Sequence, residues 1–291
     1  TPVQEQSIPF VLEGRDIVAA AKTGTGKTAA FTLPSLDGLP RGKKGSAPSL
    51  LVITPTRELA TQIGEVAQVV AKQTGHRVLT VVGGLSYTPQ TDALRRGVDV
   101  LIATPGRLMD LMEQGAADLS SVQVLVLDEA DRMLDMGFLP AVRKIVRATP
   151  KDRQTLLFSA TIDDSVMGQV GNLLHDPASV QIAHKGETAD TVEQYIIPVS
   201  QAAKPELLRS LLEEKGGTRI IVFVRTRHRA DTVSRRLKRA GISAAAIHSD
   251  RSQNQRKRAL DSFAEGKTDV IVATDVLARG IDVDSVNYVV N

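Results

Sequence analysis

Unbroken apolar runs rich in valine, isoleucine and leucine alternate along this chain with segments whose apolar positions recur every three or four residues. In the first half the runs occupy residues 17–21, 50–53, 78–82, 100–103, 122–127 and 155–158. Runs with no polar alternation suit strands covered on both faces, and the helical segments between them suit right-handed crossovers. The pattern therefore predicts an α/β fold built on a parallel sheet. The same rhythm returns after position 192, with predicted strands at 194–199, 220–224, 244–247, 270–273 and 286–290. Two such blocks predict two domains, residues 1–183 and 192–291, and the polar, glycine-containing stretch 184–191 (HKGETADT) is the expected linker. A glycine-, proline- and lysine-rich stretch at 37–49 falls between a helix and a strand of one domain and reads as a surface loop.

Length agrees with this division, because 291 residues suit two domains that each bury a core. The formal net charge is +3, with no basic tail, and the pI of about 9.1 is compatible with a groove that meets a polyanion. No cysteine, no signal peptide and no apolar stretch of membrane-spanning length occur, which points to a soluble cytoplasmic protein without a membrane partner.

Short polar segments follow the apolar runs, and the first is built for phosphate. In Ala21-Lys22-Thr23-Gly24-Thr25-Gly26-Lys27-Thr28, the glycines permit a tight turn that aims N–H groups at phosphate oxygens. A helix opening at Lys27 would present its positive dipole end to the same oxygens. Lys27 would reach the β and γ phosphates of a nucleotide and Thr28 would place its hydroxyl on Mg²⁺, although Ala21 stands where such loops usually carry their first glycine. After the run at 122–127 comes Asp128-Glu129-Ala130-Asp131. Asp128 could hold Mg²⁺, and Glu129 could orient or deprotonate an attacking water. An acidic cluster alone is as readily a helix start with favourable dipole placement; the company of a phosphate loop favours the catalytic reading. Open α/β sheets bind ligands beyond the carboxyl ends of their strands, so these segments are expected to share one cleft.

The order of motifs resembles that of the DEAD-box RNA helicases of superfamily two, from the first residues to the last. Thr1-Pro2-Val3-Gln4 with Ile8-Pro9 matches the family's Q-motif, AKTGTGKT its motif I, and Pro55-Thr56-Arg57-Glu58-Leu59-Ala60 its motif Ia. Gly83-Gly84, Thr104-Pro105-Gly106-Arg107, the Asp-Glu-Ala-Asp tetrad and Ser159-Ala160-Thr161 follow in the family's order. The second half adds Val222-Phe223 with Thr226, Gln253 with Arg256, and Ala273-Thr274-Asp275 leading to Ala278-Arg279-Gly280-Ile281-Asp282. Within the family, Gly84-Leu85-Ser86, DEADRMLDMGF and HSDRSQNQR look most like the bacterial RhlE type.

This resemblance implies two RecA-like domains in tandem, with ATP and Mg²⁺ as cofactors and local separation of short RNA duplexes as the activity. It gives Gln4 the adenine, Asp282 the ribose and Gly280 a further ATP contact. Asp131, Ser159, Thr161, Gln253, Arg256 and Arg279 would couple the nucleotide site to RNA. Nucleotide and RNA would favour the same closed arrangement of the domains, with a coupling of about 1–3 kcal/mol.

Aromatic residues make up 3% of the chain and tryptophan is absent, leaving few platforms for base stacking. Recognition should fall on sugar and phosphate, with little sequence preference and strong salt dependence. The candidates are Pro55, Thr56, Arg57, Gly84, Thr104, Pro105, Gly106 and Arg107 in the first domain, with Thr226 and Thr274 in the second. Contact with the 2′-hydroxyl would favour RNA over DNA. The family's HRxGR motif does not occur in the sequence, which ends at Asn291. Its absence leads to the expectation of an incomplete second domain, with strand 286–290 left as an exposed apolar edge. Two activities follow: RNA-stimulated ATP hydrolysis with duplex separation, or a nucleotide-gated RNA clamp or annealer that hydrolyses little because those arginines are missing.

Overall fold

The structure, a computed structural model, describes residues 1–22, 24–182, 192–214, 216, 218–274 and 286–291. Its contacts divide the chain into two units, Thr1–Thr188 and Ala189–Asn291. The expected linker 184–191 lies outside the described residues. No helix among the described residues is long and apolar enough to cross a membrane.

The first unit opens with α1 (Pro2–Leu12), β1 (Ile17–Ala20), α2 (Lys27–Gly38), β2 (Leu50–Ile53) and α3 (Arg57–Thr74). It continues through β3 (Val78–Val81), α4 (Tyr87–Arg96), β4 (Val100–Ala103), α5 (Pro105–Glu113), β5 (Val124–Asp128) and α6 (Ala130–Asp135). It ends with α7 (Leu139–Arg147), β6 (Gln154–Ser159), α8 (Asp164–Val170) and β7 (Ala178–Gln181). The strands pair in parallel in the order β3-β4-β2-β5-β6-β1-β7. Every residue of β1, β2, β4 and β5 is buried, as the unbroken apolar runs predict for strands covered on both faces. One face packs under α1, α2 and α3, where Phe31 and Phe158 meet with ring centroids 5.4 Å apart; the other packs under α5 to α8.

Local chemistry sets how the helices lie. In α3, Ala60, Ile63, Ala67 and Ala71 recur at helical spacing and face the core, while Thr56 accepts a hydrogen bond from the Leu59 N–H at 3.4 Å. Gly64 on the same face has no side chain for a steric reason: a methyl there would stand 2.3 Å from Thr80 Oγ1. The strand missing from the sequence-based prediction is β7, an edge strand whose alternation of buried Ala178 and Val180 with exposed Ser179 and Gln181 gives no continuous apolar run.

Residues 37 and 38, expected in the loop, instead complete α2, and the 39–49 loop that follows is tied down by ion pairing. Asp99 accepts from the Gly42 N–H (2.8 Å), the Arg77 N–H (2.7 Å) and Arg77 Nε and Nη2 (3.0 and 2.8 Å). Arg77 in turn donates to the carbonyls of Gly42, Lys43 and Arg96. Burial pushes the Asp99 carboxyl up, but the Arg77 and Gly42 hydrogen bonds outweigh it and hold the group below its ordinary value. A carboxyl depressed in the fold contributes stability at neutral pH that is lost as pH falls through its folded value. Asp99→Ala is expected to cost about 3 kcal/mol and to open the loop to protease, read by urea unfolding at neutral pH and limited proteolysis.

The second unit comprises α9 (Lys204–Glu214), β8 (Ile220–Val224), α10 (Arg227–Arg239), β9 (Ala244–Ile247), α11 (Gln253–Ala264), β10 (Val270–Thr274) and β11 (Tyr288–Val290). Its strands pair in parallel in the order β11-β8-β10-β9. The fold class is therefore as expected, two parallel-sheet α/β units in tandem. One predicted strand is corrected: residues 194–199 form no strand, and Ile196 is 96% exposed. A strand exists only where its N–H and C=O groups meet a neighbour, and in the described sheet neither edge strand pairs with this segment.

Candidate nucleotide and nucleic-acid site

The sheet order sorts the predicted residues of the first unit into two neighbouring groups. At the carboxyl ends of β1, β5 and β6 stand the phosphate loop, the acidic tetrad and Ser159 to Thr161; at those of β2, β3 and β4 stand the residues expected to meet RNA. Parallel register sets Ala20 beside Ser159 and Asp128 beside Phe158, so the first group shares one stretch of the sheet rim.

The loop leaves β1 with the Ala21 N–H donating to the Ser159 carbonyl at 2.9 Å and turns at Gly24 (φ 79°) and Gly26 (φ 92°), in the left-handed region that glycine tolerates. Thr25 Oγ1 closes it on the Lys22 carbonyl at 2.7 Å, and Thr23 lies outside the described residues. Gln4 on α1 donates to the Gly26 carbonyl at 3.1 Å, and a side chain at position 26 would lie 2.5 Å from Gln4 Nε2. The residue expected to read adenine is thus also seated against the loop.

Lys27 opens α2 with only 7% of its surface exposed, and its ammonium has no hydrogen-bond partner. Thr28 follows on the same first turn. Asp128, the last residue of β5, is 4% exposed, and its Oδ1 is likewise without a partner. Desolvation pushes the Asp128 carboxyl up to about 6, against the attraction of Lys27 and the Glu129 N–H. A buried ammonium and carboxylate left unsatisfied in this way fit a terminal phosphate and a divalent cation, which would complete both.

The raised value has a stability consequence. An acid held at about 6 in the fold, above its ordinary 3.8, destabilises the fold once ionised; the penalty is absent below 3.8, grows through that window and is complete above 6. Asp128→Asn is therefore expected to stabilise the nucleotide-free protein at pH 7.5 by up to about 3 kcal/mol. The gain should vanish near pH 4, as read by denaturant unfolding at both pH values.

Glu129 adopts a left-handed backbone (φ 52°) as it leaves β5 and caps α6. Its carboxylate accepts from Arg132 Nη1 at 2.8 Å in a buried ion pair. Asp131 Oδ2 accepts from both the N–H (3.0 Å) and the hydroxyl (2.9 Å) of Thr161, and the Asp131 N–H donates to Ser159 Oγ at 3.1 Å. The three residues expected to couple the sites in this unit form one hydrogen-bonded unit.

In the second group, Thr56 caps α3 and Arg57 begins it, after buried Pro55. The Arg57 guanidinium lies so close to Gly84 (φ 78°) that a side chain there would come within 2.2 Å of it. Thr104 precedes α5, Pro105 is its first residue and Gly106 is exposed. Arg107 is 7% exposed, with its guanidinium 3.9 Å from the centroid of the Tyr87 ring and its Nη2 donating to the Leu85 carbonyl at 2.9 Å. It clips the 83–87 loop to α5, while Tyr87 OH donates to Asp110 at 2.8 Å. Gln90 supports the same loop by accepting from the Val82 N–H and donating to the Ser86 carbonyl.

In the second unit Thr226 caps α10 by accepting from the Arg229 N–H at 3.3 Å, and Thr274 ends the neighbouring β10. Gln253 opens α11, and Arg256 on that helix is buried. Arg279, Gly280 and Asp282 lie outside the described residues. Sequence reasoning missed Arg132, Gln90 and Tyr87. The i,i+3 spacing of Glu129 and Arg132 at a helix start was the available signal for the first.

Comparison with known proteins agrees with this arrangement. Residues 1–169 match the DEAD/DEAH box helicase family, and residues 203–291 match the helicase conserved C-terminal domain. The ATP-dependent RNA helicase RhlB of Pseudomonas aeruginosa is 44% identical over all of this chain and 75% of its own length. The DEAD-box ATP-dependent RNA helicase CshA of Streptococcus pneumoniae is also 44% identical, over all of this chain and 55% of its own length. Among solved structures, S. cerevisiae Dbp5 bound to RNA and ADP BeF3 superposes with a TM-score of 0.87 at 32% identity, covering 99% of this chain and 73% of that one. Family model, relatives and fold agree: the chain belongs to the DEAD-box family of ATP-dependent RNA helicases.

Proposed function

We propose that the first domain, residues 1–183, grips the phosphates of ATP with loop 21–28 and Lys27, and that Thr28 and Asp128 hold the accompanying Mg²⁺. When bound, that ion would neutralise charge between the terminal phosphates. Glu129 orients the attacking water and takes its proton, held in place by Arg132. Pro55, Thr56, Arg57, Gly84, Thr104, Pro105, Gly106 and Arg107 carry the RNA backbone on the adjacent half of the rim. Thr226 and Thr274 do so in the second domain, residues 192–291, which the linker 184–191 joins to the first. Asp131, Ser159 and Thr161 link nucleotide to RNA, together with Gln253, Arg256 and Arg279, while Gln4, Gly280 and Asp282 contact base and ribose. ATP hydrolysis then drives local separation of short RNA duplexes in the cytoplasm. Gly84-Leu85-Ser86 and HSDRSQNQR favour the RhlE type within the family.

The observation that carries this reading is the pair of buried, unpartnered groups of opposite charge, Lys27 Nζ and Asp128 Oδ1, at neighbouring points of one sheet rim. The test is phosphate release with and without single-stranded RNA, run beside displacement of a short labelled duplex. RNA-stimulated release with strand displacement is expected. RNA binding that depends on nucleotide but yields no turnover would replace the helicase with a clamp, and release indifferent to RNA would overturn the assignment of the second group.

A further inference from the structure

Beside β9 lies a groove of about 350 Å³ that the proposed helicase residues do not use. Its floor is the edge of the second sheet, since among the described residues β9 pairs only with β10. Its walls are α10, through Asp231, Arg235 and Lys238, and α11, through Gln255 and Ala259. Parallel pairing turns alternate residues of an edge strand outward. The Ser243 carbonyl accepts from the Val270 N–H, so the peptide groups of Ser243 and Ala245 point to β10 and those of Ala244 and Ala246 point away from it; Ala245 and Ala246 line the groove. Ser234 Oγ occupies the Ala244 carbonyl at 3.3 Å, which leaves the peptide groups of Ala246 as the open rung.

We propose that this groove takes an extended segment of a partner protein in which acidic and apolar residues alternate, added to β9 as a further strand. Charge selects the acidic residues. Asp231 is already held by Arg251 at 2.5 Å and His248 at 3.1 Å, whereas Arg235 and Lys238 are exposed and form no ion pair among the described residues. Shape selects the apolar ones, because Ala245, Ala246 and Ala259 leave room for larger side chains against the floor. The strand edge argues for a peptide over RNA: the outward carbonyl of Ala246 and the Asp231 carboxylate oppose a phosphate backbone but match the alternating donors and acceptors of a β-strand.

The test uses the intact chain and a short fluorescent peptide of alternating glutamate and valine, read by anisotropy at low salt. Binding is expected for this peptide and not for one of alternating lysine and valine. Charge reversal in the double variant Arg235→Glu, Lys238→Glu should weaken it at least ~10-fold while leaving RNA-stimulated ATP hydrolysis unchanged. N-methylation of the peptide at one alternate set of residues should abolish binding, and at the other set should be tolerated, a result that needs no further change to the protein. No binding of the glutamate peptide, equal binding of the lysine peptide, indifference to charge reversal, or equal effects of the two N-methylated sets would each overturn the proposal. Loss of RNA affinity rather than peptide affinity in the charge-reversed protein would overturn it in favour of an RNA-binding surface.

Discussion

Glu129→Gln is expected to lower RNA-stimulated ATP hydrolysis by about 10²–10⁴-fold while leaving the affinities for ATP and RNA nearly unchanged. Glu129 is 7% exposed and its carboxylate is fixed by Arg132 Nη1 at 2.8 Å, on a residue whose left-handed backbone is an unusual conformation for glutamate. A group held this firmly next to Asp128 in the chain presents one oxygen to Arg132. The amide has the same shape and still offers an oxygen to Arg132, so positioning survives, but it accepts no proton from water at neutral pH. Single-turnover phosphate release measures the effect, with a fluorescent nucleotide analogue and anisotropy of labelled RNA as the binding controls. A rate within a few-fold of the parent would remove Glu129 from the chemistry.

Lys27→Ala should weaken ATP binding by about 10²-fold or more, because a charge-assisted hydrogen bond contributes about 1.5–3 kcal/mol and the ammonium is placed to make more than one. The loss should be specific to phosphate. Without Lys27 the Asp128 carboxyl would rise further, since the opposing ammonium is gone. Titration calorimetry with ATP and with adenosine separates the cases: ATP affinity should fall while the weak binding of adenosine persists. ATP affinity within threefold of the parent would move the phosphate site away from this loop.

Much of the fold was legible because parallel strands buried on both faces leave continuous apolar runs, and β2, β4, β8 and β9 have the bounds that those runs predict. The positions of loop 21–28, the acidic tetrad and the segments expected to meet RNA were legible for a related reason, since each follows such a run and so falls on the sheet rim. What stayed hidden depended on partners remote in sequence. Segment 194–199 reads as a strand, yet composition cannot supply the neighbour that would hold it. Conversely, β7 takes its place through pairing with β1, although its sequence is half polar. Arg107 reads from the sequence as a candidate RNA contact. Its burial against Tyr87 depends on a turn that brings residue 87 back over α5, which no local pattern announces. The same holds for Asp99, whose partners at positions 42 and 77 are assembled by the loop and by β3.

The hydrogen bond from Gln4 to the Gly26 carbonyl makes the first turn of α1 a peg driven into the phosphate loop. Linkage is reciprocal, so whatever seats the peg tightens the loop's grip, and whatever fills the loop must seat the peg. Saturating nucleotide should accordingly slow amide hydrogen exchange in α1, and a binder that levers α1 outward would act as an inhibitor without ever touching the phosphates.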